Sequence, residues 1–176
     1  MSAALVTAGG GATNAVTGIV SNWADSIPGF ILCGQESVKY CQSHSHLRML
    51  GTQGLDIVHM TSKVIKYGQR IDDANLTQEI FESAYTETIS GRPGPVLIDI
   101  PFDIQSAKIN VRDWSFSSKN LSKTYNLKEA YDLIRSSKRP VVVGGNGIKL
   151  SNSTLSFQKF INKFSLPTLL TWSGID

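Results

Sequence analysis

The sequence predicts an α/β chain with parallel strands, on three observations. Short continuous apolar runs alternate with amphipathic stretches of helical period. Those runs read as strands buried on both faces, the usual condition of parallel sheets. The chain also opens on an apolar strand, Leu5-Val6, that runs through Thr7-Ala8 into Gly9-Gly10-Gly11 and directly on into a helix, the strand-turn-helix order of parallel α/β architecture.

Each element has its own signal. Val16, Ile19, Val20 and Trp23 follow the i, i+3, i+4, i+7 rule for one apolar helical face, and Ile80, Phe81, Ala84 and Tyr85 make a second stripe. Leu127, Ala130, Tyr131 and Ile134 make a third, preceded by Asn126 with Glu129 three positions on, a capping arrangement. Phe157, Phe160, Ile161 and Phe164 make the fourth. The strands between them are expected at Phe30–Cys33, Pro95–Ile100, Pro140–Val143 and Pro167–Leu170.

From about Gln105 to Tyr125 the rhythm breaks into a polar stretch rich in Ser, Lys and Asn, anchored only by Trp114 and Phe116. It reads as an interdomain connection; the alternative is a long excursion within one domain, tied down by those two aromatics. The division expected is residues 1–104, a connection over 105–126, and a new α/β unit over 127–176. The first apolar segment begins almost at residue 1 and the last, Leu166–Trp172, stops just short of the end. That spacing predicts a piece cut from a longer chain.

Composition narrows the classes. A net charge of +3, spread over 176 residues without a basic run, gives no footprint for nucleic acid or a membrane surface. Cys33 in an apolar strand and Cys41 in a polar loop offer neither metal spacing nor a disulfide framework, which agrees with a reducing compartment, by default the cytoplasm. The start, Met1–Val6, shows no basic n-region followed by a long apolar core, and no apolar run reaches membrane-crossing length, so a soluble protein without a leader is expected.

Function is carried by four motifs. The glycine turn Gly9-Gly10-Gly11 with Asn14 lets backbone approach a ligand and leaves helix-start N–H groups facing it, although such turns also need glycine for backbone reasons alone. Then come Asn22-Trp-Ala-Asp-Ser-Ile-Pro28 and Phe30-Ile-Leu-Cys-Gly-Gln35, and later Ser90-Gly-Arg-Pro-Gly-Pro-Val-Leu-Ile-Asp-Ile-Pro101. In that order the pieces resemble the thiamine-diphosphate enzymes of the acetolactate synthase group.

The resemblance implies the second half of a pyrimidine-binding domain of the thiamine-diphosphate-binding fold, followed by the start of a Rossmann-like central domain. It implies thiamine diphosphate and magnesium as cofactors of the parent protein, a 2-oxo acid substrate, and a homodimer or homotetramer with active sites between subunits. Gly9, Gly10, Gly11 and Asn14 would lie against the cofactor rings; the family's Gly-Pro-Gly is Gly-Gly-Gly here, so Gly10 lacks the φ that proline fixes. The stretch Leu47-Arg-Met-Leu-Gly-Thr-Gln-Gly-Leu-Asp56 is similar to the family's Arg-x-x-Gly-x-Gln-Glu-x-Asp. Gln53 is thereby implied as the substrate-side catalytic residue, against the alternative of a solvated loop amide, and the family's following glutamate is Gly54. The family's catalytic glutamate lies before the glycine turn and its magnesium-diphosphate motif, Gly-Asp-Gly, in a third domain. Neither has a counterpart here, so the segment is expected to be inactive alone, and no metal ligand is assigned to it.

Other signals carry less. Gly145-x-Gly147 after an apolar strand suggests a dinucleotide turn, but Leu150 stands where a third glycine or alanine is wanted; some family members bind FAD in this domain, so flavin stays open. His44-Ser45-His46 lacks a partner at metal-binding spacing and reads as surface loop, Arg92 between Gly91 and Pro93 reads as structural, and no Gly-x-Ser-x-Gly elbow marks a hydrolase. The competing class is a non-catalytic nucleotide-binding or regulatory α/β module.

Overall fold

The computed structural model describes residues 1–49, 51, 53–116 and 125–175. The chain divides into two compact units, Met1–Leu121 and Ser122–Asp176. In the first, the elements are β1 (Ser2–Val6), α1 (Gly10–Asp25), β2 (Gly29–Gln35), α2 (Val38–Ser43), α3 (Ile57–Thr61), β3 (Tyr67–Arg70), α4 (Thr77–Ile89), β4 (Pro95–Pro101) and α5 (Phe102–Gln105), with a 3₁₀ turn at Ala74–Leu76. The second holds α6 (Leu127–Ser136), β5 (Val142–Gly144), α7 (Gly147–Leu150), α8 (Thr154–Phe164) and β6 (Thr168–Leu170), with a 3₁₀ turn at Trp172–Gly174.

The first unit is a parallel sheet in the order β1-β2-β4-β3. Alternation along β2 and β4 sends side chains to two different cores. Ile31, Cys33 and Leu97 meet Ala12 and Ile19 of α1 and Ile57 of α3, while Val96 and Ile98 meet Ile80 and Ala84 of α4, with Phe30 and Leu32 packed against them. Both faces are covered where β2 and β4 run, which is why these strands read as unbroken apolar runs. β1 forms the open edge: its residues are largely exposed, and Leu5 keeps 80% of its surface.

The polar stretch after α5 does not leave this unit at once. Arg112 N–H donates to Gln78 Oε1 at 2.8 Å, Gln78 Nε2 donates to Arg112 O at 3.1 Å, and Ser115 N–H donates to Glu82 Oε1 at 2.8 Å. Trp114 stacks on Phe116, which also meets Tyr85 of α4. Residues 112–116 are thus strapped to α4, through the two aromatics the alternative sequence reading pointed to. The remainder of the expected connection, residues 117–124, lies outside the described residues.

Three expectations are corrected. Cys41 is buried on α2 rather than lying in a polar loop. Asn126 stands at the N-cap of α6 but its side chain makes no capping hydrogen bond. The runs expected as doubly buried strands in the second unit are exposed: Val141, Val143, Leu169 and Leu170 all keep about half or more of their surface. Among the described residues β5 and β6 pair only with each other, and this unit's own elements do not cover both faces of so small a sheet.

Candidate active site

The carboxyl ends of the parallel strands converge on a cavity of about 950 Å³, a size common for small-molecule sites and a place where open α/β sheets bind ligands. The ends of β1, β2 and β4 supply Leu5, Val6, Cys33, Gly34, Gln35 and Ile100. Phe81 of α4 and Phe102, Ile104 and Ile109 add apolar wall, while Glu36, Gln53, Thr77 and Gln105 add polar groups. The hydroxyl oxygen of Thr77 is buried with no hydrogen-bond partner among the described residues.

Beside the cavity stands the glycine turn. Gly9 caps α1 at φ 61°, ψ −108°, a conformation that side chains disfavour, and a Cβ there would lie 2.4 Å from the backbone oxygen of Gln53. Two backbones therefore touch at Gly9, which brings the Gln53 loop onto the head of the helix. A Cβ on Gly11 would press on the Thr7 methyl at 2.8 Å, whereas one on Gly10 would meet nothing within 4 Å. No side chain caps α1; the amide of Ala12 in its first turn is met instead by backbone, donating to Thr7 O at 3.0 Å. Of the residues expected to act, Gln53 lines the cavity, Gly9 contacts it through that loop, and Gly10 and Gly11 form the first turn of α1. Asn14 is exposed on α1 and does not line the cavity.

Behind the cavity lies a polar network that the motifs did not point to. Gln35 Nε2 donates to Asp99 Oδ2 at 2.9 Å and to Leu55 O at 2.8 Å, and Gln35 Oε1 accepts from Glu36 N–H at 3.0 Å. The parallel register sets Val6, Cys33, Asp99 and Arg70 in one row across the sheet. Asp99 is 2% exposed and its second oxygen, Oδ1, has no partner among the described residues. Burial, against the hydrogen bond from Gln35 and the Arg70 charge, pushes its carboxyl up to about 7. Burial also pushes the Cys33 thiol up to about 12, with Asp99 adding to the effect, so Cys33 is an inert core thiol. The signal available in the sequence was the charge inside Val96-Leu-Ile-Asp-Ile100, since a buried strand tolerates a carboxylate only with partners.

Glu36 faces the same loop: a Cβ on Gly51 would lie 2.7 Å from Glu36 Oε1. Gly54, which takes the place of the family's glutamate, is buried. Asp56, at the end of that motif, caps α3 by accepting from His59 N–H at 2.9 Å. Arg92 donates to Ser26 Oγ at 2.6 Å and to Ala24 O at 3.2 Å, tying the turn before β4 to the end of α1. His44 stacks on Tyr40, and among the described residues no group of three metal-ligating side chains assembles. No described helix is long and apolar enough to cross a membrane.

Sequence comparison carries the assignment further. The chain is 32% identical over 177 residues to the acetolactate synthase large subunit of Lactococcus lactis, and 30% identical over 178 residues to a glyoxylate carboligase of Escherichia coli O157:H7. Each alignment covers 97% of this chain. The chain is acetolactate synthase-like. It spans less than a third of these relatives, 30% and 29% of their respective lengths. An X-ray structure described as a thiamin diphosphate-dependent enzyme from Mycobacterium smegmatis superposes with a TM-score of 0.79 over 97% of this chain and 32% of that one, at 18% identity, which shows the shared α/β fold. No protein-family model matches the chain. The acetolactate synthase-like stretch thus includes the glycine turn, the Gln53 loop and the cavity between them and the strand ends.

Proposed function

We propose that this chain supplies the ring-binding side of a thiamine-diphosphate site in a carboligase or decarboxylase acting on 2-oxo acids, with the reaction of the acetolactate synthases: decarboxylation of pyruvate and ligation of the remaining unit to a second carbonyl. In this reading residues 1–104 are the second half of a pyrimidine-binding domain, 105–126 its connection and 127–176 the start of the central domain. The protein works in the cytoplasm as a homodimer or homotetramer, and magnesium and the diphosphate are held by residues other than these.

The observation that carries the proposal is the apposition of the Gln53 loop and the glycine turn beside an apolar cavity at the strand ends, in a chain similar to acetolactate synthases over nearly all its length. The residues present fit an aromatic heterocycle. Gly10 has open space beside it for close approach, Phe81, Ile100 and Ile104 give an apolar wall, and the Thr77 hydroxyl offers a polar atom with no partner among the described residues. When bound, the cofactor supplies the electron sink for decarboxylation and carbon–carbon bond formation. This chain's part is to seat the ring, to present the Gln53 amide to the carboxylate or carbonyl of the 2-oxo acid, and to keep water from the reacting carbon.

Calorimetric titration of the purified chain tests this against a nucleotide-binding module. Thiamine and thiamine diphosphate should bind with similar weak affinity, because the ring side alone is present, and ADP should not compete. Competition by ADP or by inorganic diphosphate would show a phosphate site and overturn the reading.

A further inference from the structure

The Gln53 loop is not held over the glycine turn by apolar packing of Gln53 itself, which is exposed. What fixes the loop from below is Gln35: its amide is bonded at once to Leu55 O on the loop, to Asp99 on β4 and to the backbone N–H of Glu36. We propose that Gln35 is the positioning residue of this site and that Asp99 beneath it forms a proton-operated latch, closed on the loop when Asp99 is neutral and loosened when Asp99 is ionised.

The geometry makes one side chain bridge three parts of the site. Both hydrogens of the Gln35 amide are engaged, one by the loop and one by Asp99, so the loop bond is available only while Asp99 holds the amide in this orientation. Asp99 is closed off from water, and among the described residues only one of its oxygens has a donor. A neutral acid tolerates that arrangement. An ionised one leaves a buried oxygen unsolvated, a cost relieved by letting water in, and the segment that must give way is the one above it, Gln53–Asp56. The groups whose charge acts on Asp99 are Arg70 on β3, Asp72 just beyond it and Asp56 at the start of α3, while the thiols of Cys33 on β2 and Cys41 on α2 are uncharged and are themselves pushed up by Asp99. Arg70 is the one cation among them and is itself paired with Asp72 at 2.7 Å, so it is not free to neutralise Asp99 fully. The titration range lies near neutrality, where a change in cellular pH moves it.

The value of the latch for ligand binding rests on the cofactor reading above, whereas loop closure itself needs no ligand. Amide hydrogen exchange of the purified chain, corrected for the intrinsic pH dependence, therefore tests it directly. Protection over residues 53–57 should fall about tenfold between roughly pH 6 and pH 8.5 while the β4 amides stay protected. Asp99→Asn keeps an acceptor for Gln35 but cannot ionise, and should flatten that profile with the loop closed. Gln35→Met keeps the volume and should leave the loop open at both pH values. A loop whose protection ignores pH in the wild-type chain, or follows the same profile in Asp99→Asn, would overturn the proposal; should Gln35→Met fail to fold, the Asp99→Asn comparison still decides. Absence of thiamine binding in calorimetry would remove the cofactor reading and leave these exchange results untouched.

Discussion

Gly9 and Gly10 are adjacent in sequence and opposite in what they tolerate. Gly9→Ala forces a Cβ into the Gln53 backbone at a positive φ and should destabilise the chain by roughly 2 kcal/mol or more, read from urea unfolding. Gly10→Pro should instead stabilise it by about 0.5 to 1 kcal/mol: Gly10 is the first residue of α1 with open space around it, and Gly9 before it sits in a mirror-extended conformation that a following proline accepts. The φ that Gly10 lacks for want of proline is thus a matter of unfolded-chain entropy more than of native geometry. Asp99 gives a second prediction. Its carboxyl titrates near 7 when folded and near 3.8 when unfolded, so between those values the unfolded chain has lost the proton that the folded chain keeps. Stability contributed by this group is present at low pH, falls as pH rises through that window, and levels off above it, by on the order of 4 kcal/mol at most. Comparison of urea midpoints at about pH 5 and about pH 8 should show the decline in wild type and much less of it in Asp99→Asn.

At the scale of elements, the strap over α4 makes a prediction of its own. Gln78→Leu removes the amide that grips Arg112 from both sides and should speed tryptic cleavage after Arg112 by about tenfold, with α4 intact. An unchanged rate would mean that the Trp114–Phe116 contacts alone hold the segment. These hydrogen bonds were beyond the sequence, since they depend on a segment more than thirty residues away from its partner. Long strongly periodic elements were legible: α1, α4, α6 and α8 fall on the four apolar stripes, and β2 and β4 on continuous apolar runs. Shorter ones were not. Tyr67-Gly-Gln-Arg70 carries no apolar alternation because it is an edge strand whose half-buried side chains are polar, and α2 and α3 are too short to show a helical period. Of the site, the glycine turn and Gln53 could be read from residue types, whereas the Gln35–Asp99 pair arises from parallel register, which no local pattern encodes.

At the scale of the molecule, the two compact units differ in how much apolar surface each buries. The first holds two cores on either side of its sheet, while the second leaves Leu133, Val143, Leu155 and Leu169 each more than 60% exposed. Amides of β2 and β4 should therefore exchange at least a hundredfold more slowly than those of β5 and β6. The chain covers less than a third of the length of relatives that carry the same stretch, and residues of β1, β5 and β6 are left exposed.

The central claim, that the glycine turn and the strand-end cavity receive the rings of thiamine diphosphate, is tested most directly by two-dimensional amide NMR of the labelled chain titrated with thiamine diphosphate to millimolar concentration. Resonances of Thr7–Ala12, Gln35 and Gln53 should shift together along one binding curve while those of Trp23, Lys66 and Arg92, at the opposite ends of the strands, stay fixed. A titration that leaves the glycine turn unmoved, or that perturbs the opposite end instead, would contradict the account.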